Sequence, residues 1–535
     1  MTAFDVDAVT AERIGLTWLR AALAPVGAFG RRHDESIAPY GAGDEARALA
    51  EIEDVVALAQ RLDADGVLRV RAALRAVPEP APIVARARAG DPLDDVDFYE
   101  LGRFVDALDA LVRAWDAAVL RQAQDDRAAE RRPPVLDALR AALAPGRDGG
   151  GFYLADAFAS GLPAARAAVA QAEAEYEARR EAIAARVRDA IGVDAAGDEF
   201  VVLRDVYDGP LPDDVLVVRE TPTYRVGAFR VVVPQRDAAL ARLAGVEEDA
   251  RRALAQHVAQ QAGLIAGATA ALGGLDRTLA RVAFAQRWRC CLPELAADRV
   301  TFSEATFAPL AEALVSRGRR YTPLTLDLRG VAVLTGPNMG GKSAALATAG
   351  FLCACVALGV PPPAREALLP LLGTVAWIGG EGPEDRARLL SSYAAEIVRA
   401  KDVLANASPR ALILIDEFAR TTGPREGRAL LVAFVEALRS RGAFALVATH
   451  FDAVAEAARV PHLRIAGLRE GALGELDARN FDAALDAISA AMDYHVVAAG
   501  DALAESDALA LARLLGLDDA VVARANALHD ADSAI

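Results

Sequence analysis

The chain is short of lysine, cysteine and histidine, and each shortage narrows what it can be. Only Lys342 and Lys401 are lysines among 59 basic residues, so arginine supplies nearly all the positive charge. Together with the alanine excess this is the imprint of a GC-rich genome, and it makes Lys342 conspicuous. The four cysteines, Cys290, Cys291, Cys353 and Cys355, make no C-x-x-C pair and have no histidine nearby in sequence. That argues against a zinc site and for packing thiols in a reducing compartment. The six histidines are scattered without metal spacing. No stretch approaches the ~18 uninterrupted apolar residues of a membrane span. The N-terminus, MTAFDVDAVTAERIG, has neither a basic start nor an apolar signal core. These absences predict a soluble, cytoplasmic protein with no membrane partner. Basic charge is also short overall: the net charge of −16 is the opposite of the footprint that phosphate contacts require. DNA is thereby disfavoured as a partner, with a local basic patch left open.

What is present is an ordinary core-forming composition, 53% hydrophobic and 25% charged, in a chain of 535 residues with room for several domains. Residues 1–161 read as successive helices rich in Ala, Leu, Val and Arg, with breaks at Pro78–Pro82, Gly90–Pro92 and Pro133–Pro134. A long helix is expected within 162–198, where Val169, Tyr176 and Ile183 recur every seven residues and suit a partner helix. Its Glu175 and Arg179 form an i,i+4 pair. Residues 199–235 change period: FVVLRDV, VLVVRE and YRVGAFRVVV predict a small β tip. Helical spacing returns over 236–300, with Leu272, Leu275, Leu279 and Val282 on one face. Residues 301–500 alternate short apolar strands with helices, clearest at VAVLT, ALILID and FALVAT, which predicts a mostly parallel α/β sheet. Residues 501–535 form a helical tail with a break at Gly516.

Chemistry concentrates in the α/β part. Gly336-Pro337-Asn338-Met339-Gly340-Gly341-Lys342-Ser343 matches G-x-x-x-x-G-K-[ST] between an apolar strand and a helix. Such glycines let backbone amides wrap a phosphate at a helix N-terminus. Lys342 is then expected on the β- and γ-phosphates of ATP and Ser343 on Mg²⁺. Asp416 and Glu417 end the strand ALILI, as a Walker B strand delivers two carboxylates to a sheet edge. Asp416 would hold the Mg²⁺ shell and Glu417 would polarise the attacking water. His450, just past FALVAT, falls at the same edge, where it can sense a γ-phosphate or hold the water.

Five segments in order resemble the MutS family: TGPNMGGKS (335–343), SSYAAEIVRAKDVL (391–404), LIDEFARTTGPREG (414–427), ATHF (448–451) and SDALALARLLGLDDAVVARANAL (506–528). Asn338 and Met339 add to the likeness, since a generic phosphate loop does not require them. The resemblance implies an α/β P-loop ATPase domain of the ABC superfamily, preceded by an all-α core and lever region with a small β clamp-like tip. It also implies a dimer with nucleotide at the subunit interface, Ser391 or Ser392 reaching the partner's phosphates as a trans signature. An ordinary serine N-cap explains the same residues. Tyr321 falls where the family places an adenine-stacking aromatic, and a core tyrosine before a strand is its other explanation.

The chain departs from full-length mismatch-recognising members in three respects. It starts at what resembles the core helices, so mismatch-binding and connector domains are expected to be missing. Phe98-Tyr99-Glu100 matches a Phe-x-Glu wedge only formally, because it sits in a helical stretch. Thr421 and Gly423 replace a glycine and a serine of the loop after the Walker B strand. The resemblance implies ATP-driven clamping or remodelling, a mechanical output rather than chemistry on a second substrate. The target is DNA, in mismatch repair or recombination, or alternatively a protein client such as a cobalamin-dependent aminomutase.

Overall fold

The apolar runs VAVLT, ALILID and FALVA become neighbouring strands of one sheet. The computed structural model describes residues 4–119, 130–195, 197–337, 341–379, 392–419, 422–468, 492–499, 512 and 517–533. The chain divides into two units, one of residues 1–76, 111–133 and 270–535, the other of residues 77–110 and 134–269.

In the first unit the sheet has six strands: β1 Val331–Thr335, β2 Thr374–Ile378, β3 Ala411–Asp416, β4 Phe444–Ala448, β5 His462–Leu468 and β6 Met492–Ala498. Their order is β2-β3-β4-β1-β5-β6, parallel throughout except for the antiparallel β5–β6 pair. Such strands read as unbroken apolar runs because both faces are covered. Here Ala332, Leu334, Leu412, Leu414 and Leu446 join the core containing the helix Lys342–Ala357. Val331, Val333, Ile413, Ile415 and Val447 join a second core with Leu431, Phe434, Val435 and Leu438 of the helix Pro424–Ser440. A side-chain period of two thus sorts one run onto two faces.

A separate four-stranded sheet, ordered Glu294–Leu295, Glu366–Leu369, Val300–Ala305 and Leu324–Leu328, lies in the same unit. Charge is buried here. Arg277 and Arg281 of the helix Ala262–Trp288 pair with Asp34 and Glu51, and Arg281 Nη2 also donates to Leu358 O at 3.4 Å, just past the end of Lys342–Ala357. Removing one partner from such a cluster typically costs about 3–5 kcal/mol, since the other charge stays buried. Asp276 accepts from the Val26 and Gly27 N–H groups at 3.1 and 2.7 Å, holding the start of the helix Ala28–Glu35. Cys353 and Cys355 are buried, and burial pushes the Cys353 thiol up to about 12, so it behaves as a packing group.

The second unit holds the helix Leu162–Ile191, which packs along Pro234–Gln260. Arg236 joins them, pairing with Glu173 at 2.9 Å and lying 4.5 Å over the Tyr176 ring. Helical spacing alone predicts one run from residue 237 to Trp288. The structure instead breaks at Gln261 and bends by 52° before Ala262–Trp288. A two-stranded ribbon, Arg147–Asp148 with Gly151–Phe152, interrupts the expected all-helical region, because the glycines at 149–151 close a turn and do not extend a helix. Phe98 is fully buried within the helix Asp95–Ala118, its ring 5.2 Å from that of Phe152, so it is a core residue. Residues 199–235, where β structure is expected, hold a three-stranded antiparallel sheet of Glu199–Leu203, Val215–Glu220 and Tyr224–Phe229. No single helix among the described residues is long and apolar enough to cross a membrane. Of the tail, the helix Asp519–Ser533 is described, while Gly516 lies outside the described residues.

Candidate functional site

In a parallel sheet, sites form where strands end and loops diverge, at the carboxyl edge. Three adjacent strands, β3, β4 and β1, end here side by side. They deliver Asp416 and Glu417, His450, and the phosphate-loop sequence. The loop leaves β1 at Gly336 and Pro337 and enters the helix Lys342–Ala357 through Gly341 at φ +88°. That left-handed conformation suits glycine, and a side chain there would also meet Tyr494 of β6, whose Cδ1 lies 3.0 Å from the Cβ position. Asn338, Met339 and Gly340 lie outside the described residues.

The buried Lys342 ammonium donates to Gly336 O at 2.9 Å and Pro337 O at 3.3 Å, and lies 3.4 Å from His450 Nε2. His450 Nε2 in turn is 2.6 Å from Glu417 Oε1. The Ser343 hydroxyl donates to Asp416 Oδ2 at 2.8 Å. Lysine, serine, two carboxylates and an imidazole from three strand ends therefore form one connected cluster. Burial holds the Lys342 ammonium below the usual lysine range, against the opposing pull of Glu417 and Asp416. Burial also raises the Asp416 carboxyl; the Ser343 bond opposes the rise and the Glu417 charge adds to it. A ligand of opposite charge would ease the charged form of each, an anion at Lys342 and a cation at Asp416.

The turn after β3 is strained. Glu417 and Ala419, neither a glycine, both have φ of +60°, a conformation that persists where surrounding contacts enforce it. Those contacts are visible: Glu417 N–H donates to Ala448 O at 3.0 Å, and Ala419 N–H donates to Glu396 Oε2 at 3.0 Å. Gly379, following β2 at φ +109°, completes the support, because a Cβ there would stand 2.0 Å from Asp416 O. Glu396 is visible in sequence only as a motif match, and its backbone contact is a tertiary event. Gly379 carries the weak signal of a glycine closing an apolar strand. Tyr494 carries no signal beyond its strand.

The other candidates do not join this hydrogen-bonded cluster or lie outside the described residues. Tyr321 is partly buried, and its hydroxyl accepts from Phe307 N–H at 3.0 Å, so the hydroxyl serves local packing. Ser391 lies outside the described residues, and Ser392 opens the helix Ser392–Asn406 without a described side chain. Thr421 also lies outside, and Gly423 is the N-cap of Pro424–Ser440.

The donor set fits magnesium. Magnesium usually takes only one or two protein ligands alongside waters and phosphate oxygens, at 2.0–2.1 Å, so adjacent octahedral ligands stand about 3 Å apart. Ser343 Oγ and Asp416 Oδ2 are already near that separation.

Comparison with known proteins supplies the kinship. Residues 332–531 match the model of MutS domain V. This part of the chain is similar to MutS domain V. The DNA mismatch repair protein MutS of Granulibacter bethesdensis is 36% identical over 210 residues, 38% of this chain and 22% of that protein. An Endonuclease MutS2 of Anaeromyxobacter is 35% identical over 219 residues, 40% of this chain and 25% of that protein. Another, of Pelotomaculum thermopropionicum, is 30% identical over 311 residues, 56% of this chain and 37% of that protein. The chain thus aligns with well under half the length of these relatives. The MutS domain V match contains Lys342, Ser343, Glu396, Asp416, Glu417, His450 and Tyr494, and leaves Tyr321 outside.

Proposed function

We propose that this chain binds and hydrolyses ATP with Mg²⁺ as a dimer joined through its MutS domain V, and that nucleotide-driven closure acts mechanically on a bound target. The observation that carries this is the cluster Lys342–His450–Glu417 beside Ser343–Asp416 at one sheet edge. Lys342, now held by two carbonyls of its own loop, would exchange them for phosphate oxygens, which relieves its buried charge. Ser343 and Asp416 would hold Mg²⁺, which when bound neutralises charge developing on the phosphates. Glu417 would accept a proton from the attacking water, and His450, bonded to its Oε1, would fix the carboxylate's orientation. Ser391 or Ser392 would complete the site of the partner subunit from a helix N-terminus. The test is Glu417→Gln with ATP and Mg²⁺: the variant should accumulate as an ATP-loaded dimer by light scattering, and turnover at the wild-type rate would sink the assignment.

DNA is the target that kinship supports, since the named relatives are a mismatch repair protein and endonucleases. A protein client is a second reading, favoured by the β tip. Its residues 199–235 hold six acidic residues against four arginines, unlike a phosphate-binding surface. A salt-dependent gel shift with duplex, mismatched and junction DNA separates them. Loss of all binding at low salt, with hydrolysis intact, selects the protein client.

A further inference from the structure

The three-stranded sheet of Glu199–Leu203, Val215–Glu220 and Tyr224–Phe229 has two unlike faces. One is covered: Phe200, Val202 and Val215 pack with Ile183, Val187 and Ile191. The other is apolar and open. Val201 is 52% exposed, Leu203 49% and Leu216 51%. The register sets Val201 beside Val226, Leu203 beside Tyr224 and Leu216 beside Ala228, so the central strand joins these residues into one patch. An antiparallel sheet covered on one side normally shows polar residues on the other, and a contiguous apolar patch marks a contact surface.

The charges on that face indicate which contact. Glu199 stands beside Ala228 on one edge strand, and Arg219 stands beside Val226 on the other. Neither has an ion-pair partner among the described residues. Nucleic acid suits this face poorly: Arg225 is buried, and Arg204 is engaged by Asp208 and Glu220. A second copy of the same face suits it well. A two-fold axis along the central strand lays the Glu199 edge of each copy over the Arg219 edge of the other, with apolar centre against apolar centre. We propose that this outer face docks on the same face of a second copy of the chain.

Size fixes the character of the contact. Three strands spaced ~4.8 Å apart and ~17–20 Å long present a few hundred Å², below the ~800 Å² per partner of a stable interface. The face therefore pairs weakly by itself and closes where another contact has already raised the local concentration. In that respect it rests on the dimer proposed above.

The test uses full-length chains bearing Val226→Cys, or Ala228→Cys should the first fold poorly, since residues on the central strand lie near the two-fold axis. A short bis-maleimide spans sheets packed ~10 Å apart. Parallel samples carry Asp189→Cys, exposed on the helix Leu162–Ile191, and the parental chain reports the four native cysteines. With ATP, Mg²⁺ and Glu417→Gln, the sheet cysteine should link at least ten-fold faster than Asp189→Cys, and adding Leu216→Glu should abolish the gain. Light scattering run alongside reads the dimer independently. A dimer without preferential linking overturns the docking face and leaves the ATPase dimer standing. Linking at high protein concentration without an ATP-dependent dimer supports the face and overturns the ATPase dimer, and absence of both overturns both. Suppression of linking by duplex DNA, at a concentration that leaves the dimer intact, overturns self-docking in favour of a nucleic-acid surface.

Discussion

Glu396→Ala offers a direct test of how the site is held. The turn carrying Glu417 and Ala419 contains two left-handed non-glycine residues, each costing about 1–3 kcal/mol. One contact offsetting this is the Ala419 N–H bond to Glu396 Oε2 at 3.0 Å, and a hydrogen bond to a charged group contributes ~1.5–3 kcal/mol. Removing it tips the strained turn toward relaxed alternatives by about that amount. Each 1.4 kcal/mol is about a factor of ten in population, so the fraction of molecules with Glu417 beside His450 should fall ten- to hundred-fold. Steady-state ATP hydrolysis should fall by that factor in kcat. Binding of a non-hydrolysable ATP analogue should stay within about two-fold, because Lys342 and Ser343 lie on a different strand–helix junction. Glu396→Gln keeps an acceptor oxygen and should fall between. Wild-type kcat in Glu396→Ala would refute the view that this contact holds the turn.

Three further outcomes follow from the same geometry. Burial raises the folded pKa of Asp416 above its unfolded value, so the native state binds more protons than the unfolded chain between the two values, and nucleotide-free stability falls as pH rises through that window. Asp416→Asn should therefore melt above wild type at pH 7 without magnesium, the gap closing near pH 4; a gap independent of pH contradicts this. Lys342→Met should lose nucleotide binding by calorimetry while unfolding in urea at or above the wild-type midpoint, since a partly desolvated ammonium is removed; a clear loss of apo stability would count against that view. Gly379→Ala forces a Cβ to within 2.0 Å of Asp416 O in a left-handed conformation, and should cost at least ~3 kcal/mol in urea unfolding. An unchanged midpoint would mean the two strand ends separate freely.

The parts of this molecule legible in sequence are those written locally. Apolar runs buried on both faces, a glycine loop before a helix, and carboxylates ending a strand each occupy a few consecutive residues. They point to β1, β3 and β4 and to the side chains at their ends. What sequence conceals is long-range approach. Glu396 meets Ala419 and Gly379 meets Asp416 only because β2 pairs with β3 and the following helix folds back. Tyr494 reaches Gly341 because β6 closes the sheet edge. The bend at Gln261 escapes a periodicity argument because apolar spacing resumes directly after it, with the chain pointing elsewhere. The ribbon at Arg147–Phe152 escapes because its strands are only two residues long.

The helix Lys342–Ala357 is gripped at the end remote from the phosphate loop. Tyr40 N–H donates to Ala357 O at 2.7 Å, and Arg281 reaches Leu358 O. Tyr40 and Arg281 both contact Glu51, so the grip belongs to one buried charged cluster. Every residue of the helix from Ala345 onward is buried, which leaves little room to slide or tilt alone. Such a helix works as a connecting rod. A displacement imposed at its amino end, as by a phosphate of the proposed nucleotide, would pass at its carboxyl end to Arg281, and through Arg281 to the helix Ala262–Trp288.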